Sequence, residues 1–506
     1  MQRGSSLARA PRVQEAASDG YTADETYKRI IVACDGTWVN AASNNTKDSA
    51  NIPSNVTRLA RAIRRQSSDG IPQIVYYHYG VGTQGGIVDR IYGGVTGEGL
   101  SENVREGYSF IATNYERGDE IFLIGFSRGA FTARAIAGLI DQIGILTRTG
   151  IPYLAEIFRD VQHRHDPEYK PKNPNIPFRN KPSTDSPRYT EELRRRGLAI
   201  LRVRIRAVGV WETVGSLGTP RIGWLEKVGL QSSATKIMGF YDTHLSNCIE
   251  NAFQALGLDE RRASFSPSVW EKTPENKTRL RQVWFPGVHS NIGGGYNDQE
   301  LANITLAWMV SQLRDFLDID LDYVLDEQEK TEDYYEKVNE RPRPWSFGKI
   351  YNSMAGLFAL GGERIRTPGR YYVVDPTTGR ETDEPLRDTH EYVHPSVRVR
   401  IKLDGPGYDD HGHYTPRAMK DWKLVVDPGE SDGGRPARPD IYWQLMTKQK
   451  NVSTRILPES PLWPLERELL EMDPDREIED FVMHPPISSK SPRKTRSRRA
   501  RSSTFS

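Results

Sequence analysis

The chain has 506 residues, with 69 Lys and Arg against 67 Asp and Glu and a net charge of +2. This rules out a strongly polybasic or polyacidic protein and leaves room for one large catalytic domain with additions. Two cysteines, Cys34 and Cys248, are too few for a disulfide framework. No run approaches the roughly 18 apolar residues of a membrane-spanning helix.

The N-terminal MQRGSSLARAPRVQEAASDG lacks the apolar core of a signal peptide, so a cytoplasmic setting is expected. Residues 1–26 are polar and aperiodic and are expected to be disordered. Lys28 to Ala33 reads as a strand running into Cys34-Asp35-Gly36-Thr37-Trp38. Val56 to Arg65 reads as a short helix and Gln73 to Tyr79 as a second strand. A glycine-rich loop follows from Gly80 to Gly99, then an amphipathic helix from Glu102 to Tyr115. Asp119 to Gly144 is the most informative stretch. An apolar strand, Ile121 to Ile124, turns through Gly125-Phe126-Ser127-Arg128-Gly129 into a small-residue helix, Ala130 to Ile143. Strand, G-x-S-x-G, helix is the pattern of a nucleophile elbow, a turn so tight that only glycine fits beside the serine.

Beyond it, a charged, proline-dotted segment at about 147–198 reads as an insertion, and Leu201 to Trp211 resumes a strand that ends in Glu212. A second insertion spans about 216–241. Leu245 to Leu256 reads as a helix leading to Asp259, Arg279 to Phe285 as a strand delivering His289, and Leu301 to Leu317 as a core-facing helix. The alternation predicts an α/β, α/β-hydrolase-like catalytic domain over 27–317, with a mainly parallel sheet and helices on both faces. Residues 318–484 are expected to form an accessory subdomain packed on it, and 485–506 a disordered basic tail. That tail holds seven Lys or Arg and no acid; taking these from +2 leaves −5 for the rest.

A serine hydroxyl needs a base as it attacks, and the base needs a carboxylate to orient it. Ser127, Glu212 and His289 occur in the chain order of the α/β hydrolases, each directly after an expected strand. Asp259 is the alternative acid, and Asp35 a third carboxylate that precedes the serine. The oxyanion donors are expected to be the backbone amides of Arg128 and of the Asp35-Gly36-Thr37 loop, although that loop also reads as an ordinary turn. Gly80, Gly82 and Gly85 match a dinucleotide fingerprint without the helix and ribose-binding acid it requires. His411 and His413 lack zinc-ligand spacing. No cofactor or metal is expected.

Five motifs in order, IIVACDGTW (30–38), YGVGTQGG (79–86), IFLIGFSRGAFTAR (121–134), VGVWETVGSLG (208–218) and WFPGVHSNIGGGY (284–296), resemble the α/β hydrolase domain family that includes the bacterial type VI secretion phospholipase effectors. The resemblance implies a Ser-Asp-His hydrolase fold, with phospholipase activity among the secreted bacterial members. This chain departs from that pattern with Glu212 in place of Asp and Asn291 in place of Asp. The expected function is cleavage of an acyl ester, such as a phospholipid, with peripheral membrane contact. The apolar stretch Met354 to Leu360 is a candidate lid or acyl pocket. The other reading is an interaction protein that kept the fold and binds anionic partners through its basic tail, a segment that also fits nuclear import. No specific nucleic-acid binding is expected.

Overall fold

The computed structural model describes residues 27–36, 52–79, 97–164, 166, 168–214, 244–354, 362–375, 381–427, 439–473 and 475–485. Thr37, most of the glycine-rich loop, the second insertion, all of the Met354 to Leu360 stretch except Met354, and both terminal segments lie outside these residues.

Apolar side chains alternate onto two buried faces, and this makes the central strands. In β1 (Arg29–Cys34), Ile30, Val32 and Cys34 enter one core layer and Ile31 and Ala33 the other. β2 (Gln73–His78) and β3 (Glu120–Phe126) flank it in parallel. β4 (Ile145–Leu146) and β5 (Ala199–Ile200) form a small antiparallel pair outside the main sheet. β6 (Ala207–Trp211), β7 (Asn251–Gly257) and β8 (Arg279–Phe285) extend the main sheet beyond β3, all parallel. β9 (Tyr372–Val374) and β10 (Glu381–Pro385) form a hairpin, and β11 (Glu391–Val393) joins β8 in parallel. The order across the sheet is β11-β8-β7-β6-β3-β1-β2. β12 (Trp422–Asp427), β13 (Asp440–Leu445) and β14 (Ile456–Pro458) make a separate antiparallel sheet.

One face of the main sheet is covered by α2 (Gly97–Asn114) and α3 (Arg128–Ile143), through Tyr108, Ile111, Ile136 and Leu139. The other is covered by α1 (Asn55–Ala62) and α4 (Glu300–Leu313), through Val56, Leu59, Leu306 and Trp308. Ser54 caps α1 by accepting from the Thr57 amide.

Four elements differ from the sequence reading. The segment read as a helix over Leu245 to Leu256 contains β7, buried at all seven positions between β6 and β8. Its Ala, Gln and Leu favour helix in isolation, and a strand buried on both faces shows no alternation to betray it. The strand read from Leu201 is continuous in the sheet only from Ala207, after a positive φ of 60° at Arg202 and an isolated parallel bridge between Ile205 and Ile249. α2 starts at Gly97, five residues before Glu102. α4 is buried on every side, because Leu465, Leu469 and Leu470 cover the flank turned away from the sheet. In addition, the stretch read as an accessory subdomain lends β11 to the main sheet.

The elbow between β3 and α3 depends on contacts that no side chain could share. A Cβ on Gly125 would lie 2.5 Å from the Gly129 carbonyl oxygen, and one on Gly129 would lie 2.1 Å from the Cys34 carbonyl oxygen. We therefore expect Gly129→Ala to cost about 3 kcal/mol or to open the elbow. A urea midpoint unchanged from the parent would contradict this packing.

Candidate active site

From β1 the chain goes outward to β2 and then crosses back to β3 on the other side of β1, continuing from there to β6, β7 and β8, so β1 and β3 border a topological switch point. Open parallel sheets bind ligands at such a crevice, beyond the carboxyl ends of the strands. Ser127 follows β3 there, Glu212 follows β6, and His289 lies just beyond β8.

Ser127 has φ 59° and ψ −121°, the strained turn that separates strand from helix, and its amide donates to the Trp211 carbonyl at 3.1 Å. Glu212 is also in the left-handed region, at φ 49°, and its amide is held by the Ala255 carbonyl at 2.9 Å. His289 opens a short helical turn, His289–Gly293. Asn291 ties this turn down: its Oδ1 accepts from the Val288 amide and its Nδ2 donates to the Lys349 carbonyl.

The three side chains meet. His289 Nε2 lies 2.8 Å from Ser127 Oγ, and His289 Nδ1 lies 3.0 Å from Glu212 Oε2. The rings of Phe126 and Phe265 flank the imidazole, each with its centroid 4.8 Å away. A Cβ on Gly293 would strike the Phe126 ring at 2.0 Å, so glycine there lets the ring pack beside His289.

Asp259 belongs to a different network and follows a strand rather than a helix. Its Oδ2 accepts from the Gly287 amide at 2.7 Å and from the Tyr414 hydroxyl at 2.7 Å, and its Oδ1 from Tyr408 at 3.2 Å. It braces the loop that carries His289 without an observed bond to the imidazole. Asp35 likewise serves its own surroundings. Ser54, Thr57 and Tyr77 hydroxyls all donate to its Oδ2, and the Gly36 amide donates to Oδ1 at 2.6 Å. The loop does run beside the serine, since a Cβ on Gly36 would lie 3.2 Å from Ser127 Cβ. Its Gly36 amide, however, is committed to Asp35. Arg128 begins α3, with its amide at the positive end of that helix.

One residue that the sequence reading passed over completes the site. Arg366, from the region beyond residue 317, places Nη1 2.5 Å from Glu212 Oε1 and Nη2 2.7 Å from Oε2. It lies among many arginines in an irregular stretch, so no spacing singled it out. Burial works against ionisation of Glu212, but Arg366 and then His289 outweigh it and hold the carboxyl down at about 2. Burial also lowers the His289 pKa below its ordinary 6.5, against the opposing pull of Glu212, leaving a neutral imidazole at pH 7.

Beside α3, a cavity of about 960 Å³ is lined by Phe131, Arg134, Trp270 and Tyr371 among others; Ser127 and His289 are not in its wall. Among the described residues, no group of three or more His, Cys, Asp or Glu is placed to hold a metal ion, and no helix is long and apolar enough to cross a membrane.

The parallel sheet, the two helical layers and the glycine-flanked elbow define an α/β-hydrolase-like protein. The chain belongs to the family described as "T6SS, Phospholipase effector Tle1-like, catalytic domain", whose model matches residues 28–312. It is 24% identical over 260 residues to the uncharacterized protein YEL023C of Saccharomyces cerevisiae, a match covering 49% of this chain and 33% of that one. The chain thus spans about a third of that relative's length. Two solved structures are also similar. An uncharacterized protein from Pseudomonas aeruginosa matches at 18% identity and TM-score 0.30, over 57% of this chain and 45% of that one. The Tle1 effector bound to the VgrG spike of the type 6 secretion system matches at 20% identity and TM-score 0.29, over 54% and 52%.

Because His289 binds its proton less readily in the fold than in the unfolded chain, it contributes stability above pH 6.5 that is lost as pH falls through its lowered midpoint. NMR titration of the imidazole should give a midpoint below 6.5. A midpoint at or above that value would contradict the buried, neutral ring.

Proposed function

We propose that this chain is a serine hydrolase of acyl esters, with Ser127 as nucleophile, His289 as general base and Glu212 as the acid that orients it. The continuous line from Ser127 Oγ through the imidazole to Glu212 carries this reading. With the Nδ1 proton directed at Glu212, Nε2 presents its lone pair to the serine hydroxyl and can take its proton as Oγ attacks the acyl carbon. The Arg128 amide is the oxyanion donor this geometry favours, helped by the positive end of α3. His289 then gives the proton to the departing alkoxide, and water hydrolyses the acyl-enzyme by the same steps. The family's description favours a phospholipid ester as substrate, met at a lipid surface. On this reading the catalytic unit extends past residue 317, because Arg366 holds the acid.

The test is ester and phospholipid hydrolysis by the purified chain and its variants. Ser127→Ala should lose about 10³-fold or more in kcat, and Glu212→Gln about 10²-fold or more. Asp259→Asn should stay within about tenfold, since that side chain braces a loop. Equal, background-level rates for the parent and a folded Ser127→Ala across a broad panel would end this reading.

A further inference from the structure

Glu212 is wholly buried and φ-strained, and its carboxylate accepts four hydrogen bonds. Oε1 takes the Gly257 amide at 2.6 Å and Arg366 Nη1; Oε2 takes Arg366 Nη2 and His289 Nδ1. Arg366 is itself 3% exposed, and its remaining Nη protons go to the Gly257 carbonyl at 2.5 Å and the Phe265 carbonyl at 3.0 Å. The guanidinium therefore fixes three things at once: the carboxylate, the end of β7, and the loop whose Phe265 ring flanks His289. A glutamate has one more rotatable bond than an aspartate, so a carboxylate on this longer arm needs something to fix its plane. The planar two-pronged fork does this as a single ammonium cannot.

We propose that Arg366 is a positioning residue for the reaction, locking Glu212 ionised and in the plane that receives the His289 Nδ1 proton. It acts through Glu212 and does not touch the scissile ester. The inference rests on the serine-hydrolase reading for its effect on rate, but not for its effect on the Glu212–His289 pair. Removing a buried positive charge makes that pair take up its proton at higher pH.

The full chain is compared with Arg366→Met, Arg366→Lys, Glu212→Gln and Glu212→Gln/Arg366→Met. Hydrolysis of a short-chain p-nitrophenyl ester is measured against pH, and ¹⁵N-histidine NMR follows the His289 ring, assigned by its loss in His289→Gln. Arg366→Met should lower kcat about 10²-fold with little change in KM. It should also raise the acid-side midpoint of the pair by about one pH unit or more, in both rate and NMR. In the double variant the loss should match that of Glu212→Gln alone, because the arginine acts through the acid. Arg366→Lys keeps the charge and loses the fork, so it should keep the midpoint within about half a unit and still lose rate. If Arg366→Met does not fold, Arg366→Lys decides, and full activity in it would overturn the proposal. A folded Arg366→Met with the parent's NMR midpoint, or with losses additive to those of Glu212→Gln, would also overturn it. If the parent shows no Ser127-dependent hydrolysis while the NMR midpoint shifts as expected, the hydrolase reading fails and the electrostatic role of Arg366 stands.

Discussion

A buried carboxylate is stable only if its lone pairs find donors and its charge finds a partner, and the site is arranged around meeting that demand at Glu212. The donors come from the end of β7, from the loop after β8 and from a segment more than 150 residues later in the sequence. Removing any of them leaves a charge in a medium that cannot solvate it. The bonds that keep the carboxylate ionised also hold together the pieces of chain that surround His289.

The parallel sheet makes this possible by bringing the carboxyl ends of β1, β3, β6, β7 and β8 to one edge. Two strained residues then aim the side chains there. Ser127 and Glu212 both adopt positive φ without being glycine, a cost borne by the packing around them. Below the serine, Asp35 gathers hydroxyls from the α1 cap, the first turn of α1 and β2. The floor under the elbow is thus as firmly bonded as the acid beside it.

The elbow was readable because its cause is local: Gly125 and Gly129 mark contacts that admit no Cβ, and the apolar run before them has no other use. The alternating pattern likewise exposed β1, β2, β3 and β8. The side chains of Ser127, Glu212 and His289 could be placed after strand ends by chain order alone, though the sequence left Asp259 open as the acid. What stayed hidden was non-local. β7 looks helical because both its faces are buried, its polar Asn251 and Gln254 included, so no polar–apolar alternation marks an outer side. Arg366 finds its partner 154 positions away, a distance no spacing rule spans. Gly36 looked like an oxyanion donor because its neighbour's carboxylate could not be seen to take its amide.

The pairing of β11 with β8 affects how the protein could be divided. The family match ends at residue 312, but the sheet does not. A fragment cut there would leave β8, with its buried Val283, Trp284 and Phe285, as an apolar edge with unpaired backbone groups. Such an edge is a template for pairing with another copy. The region after 312 therefore also shields the sheet from aggregation, and a shortened chain should fail by self-association before it fails by loss of chemistry.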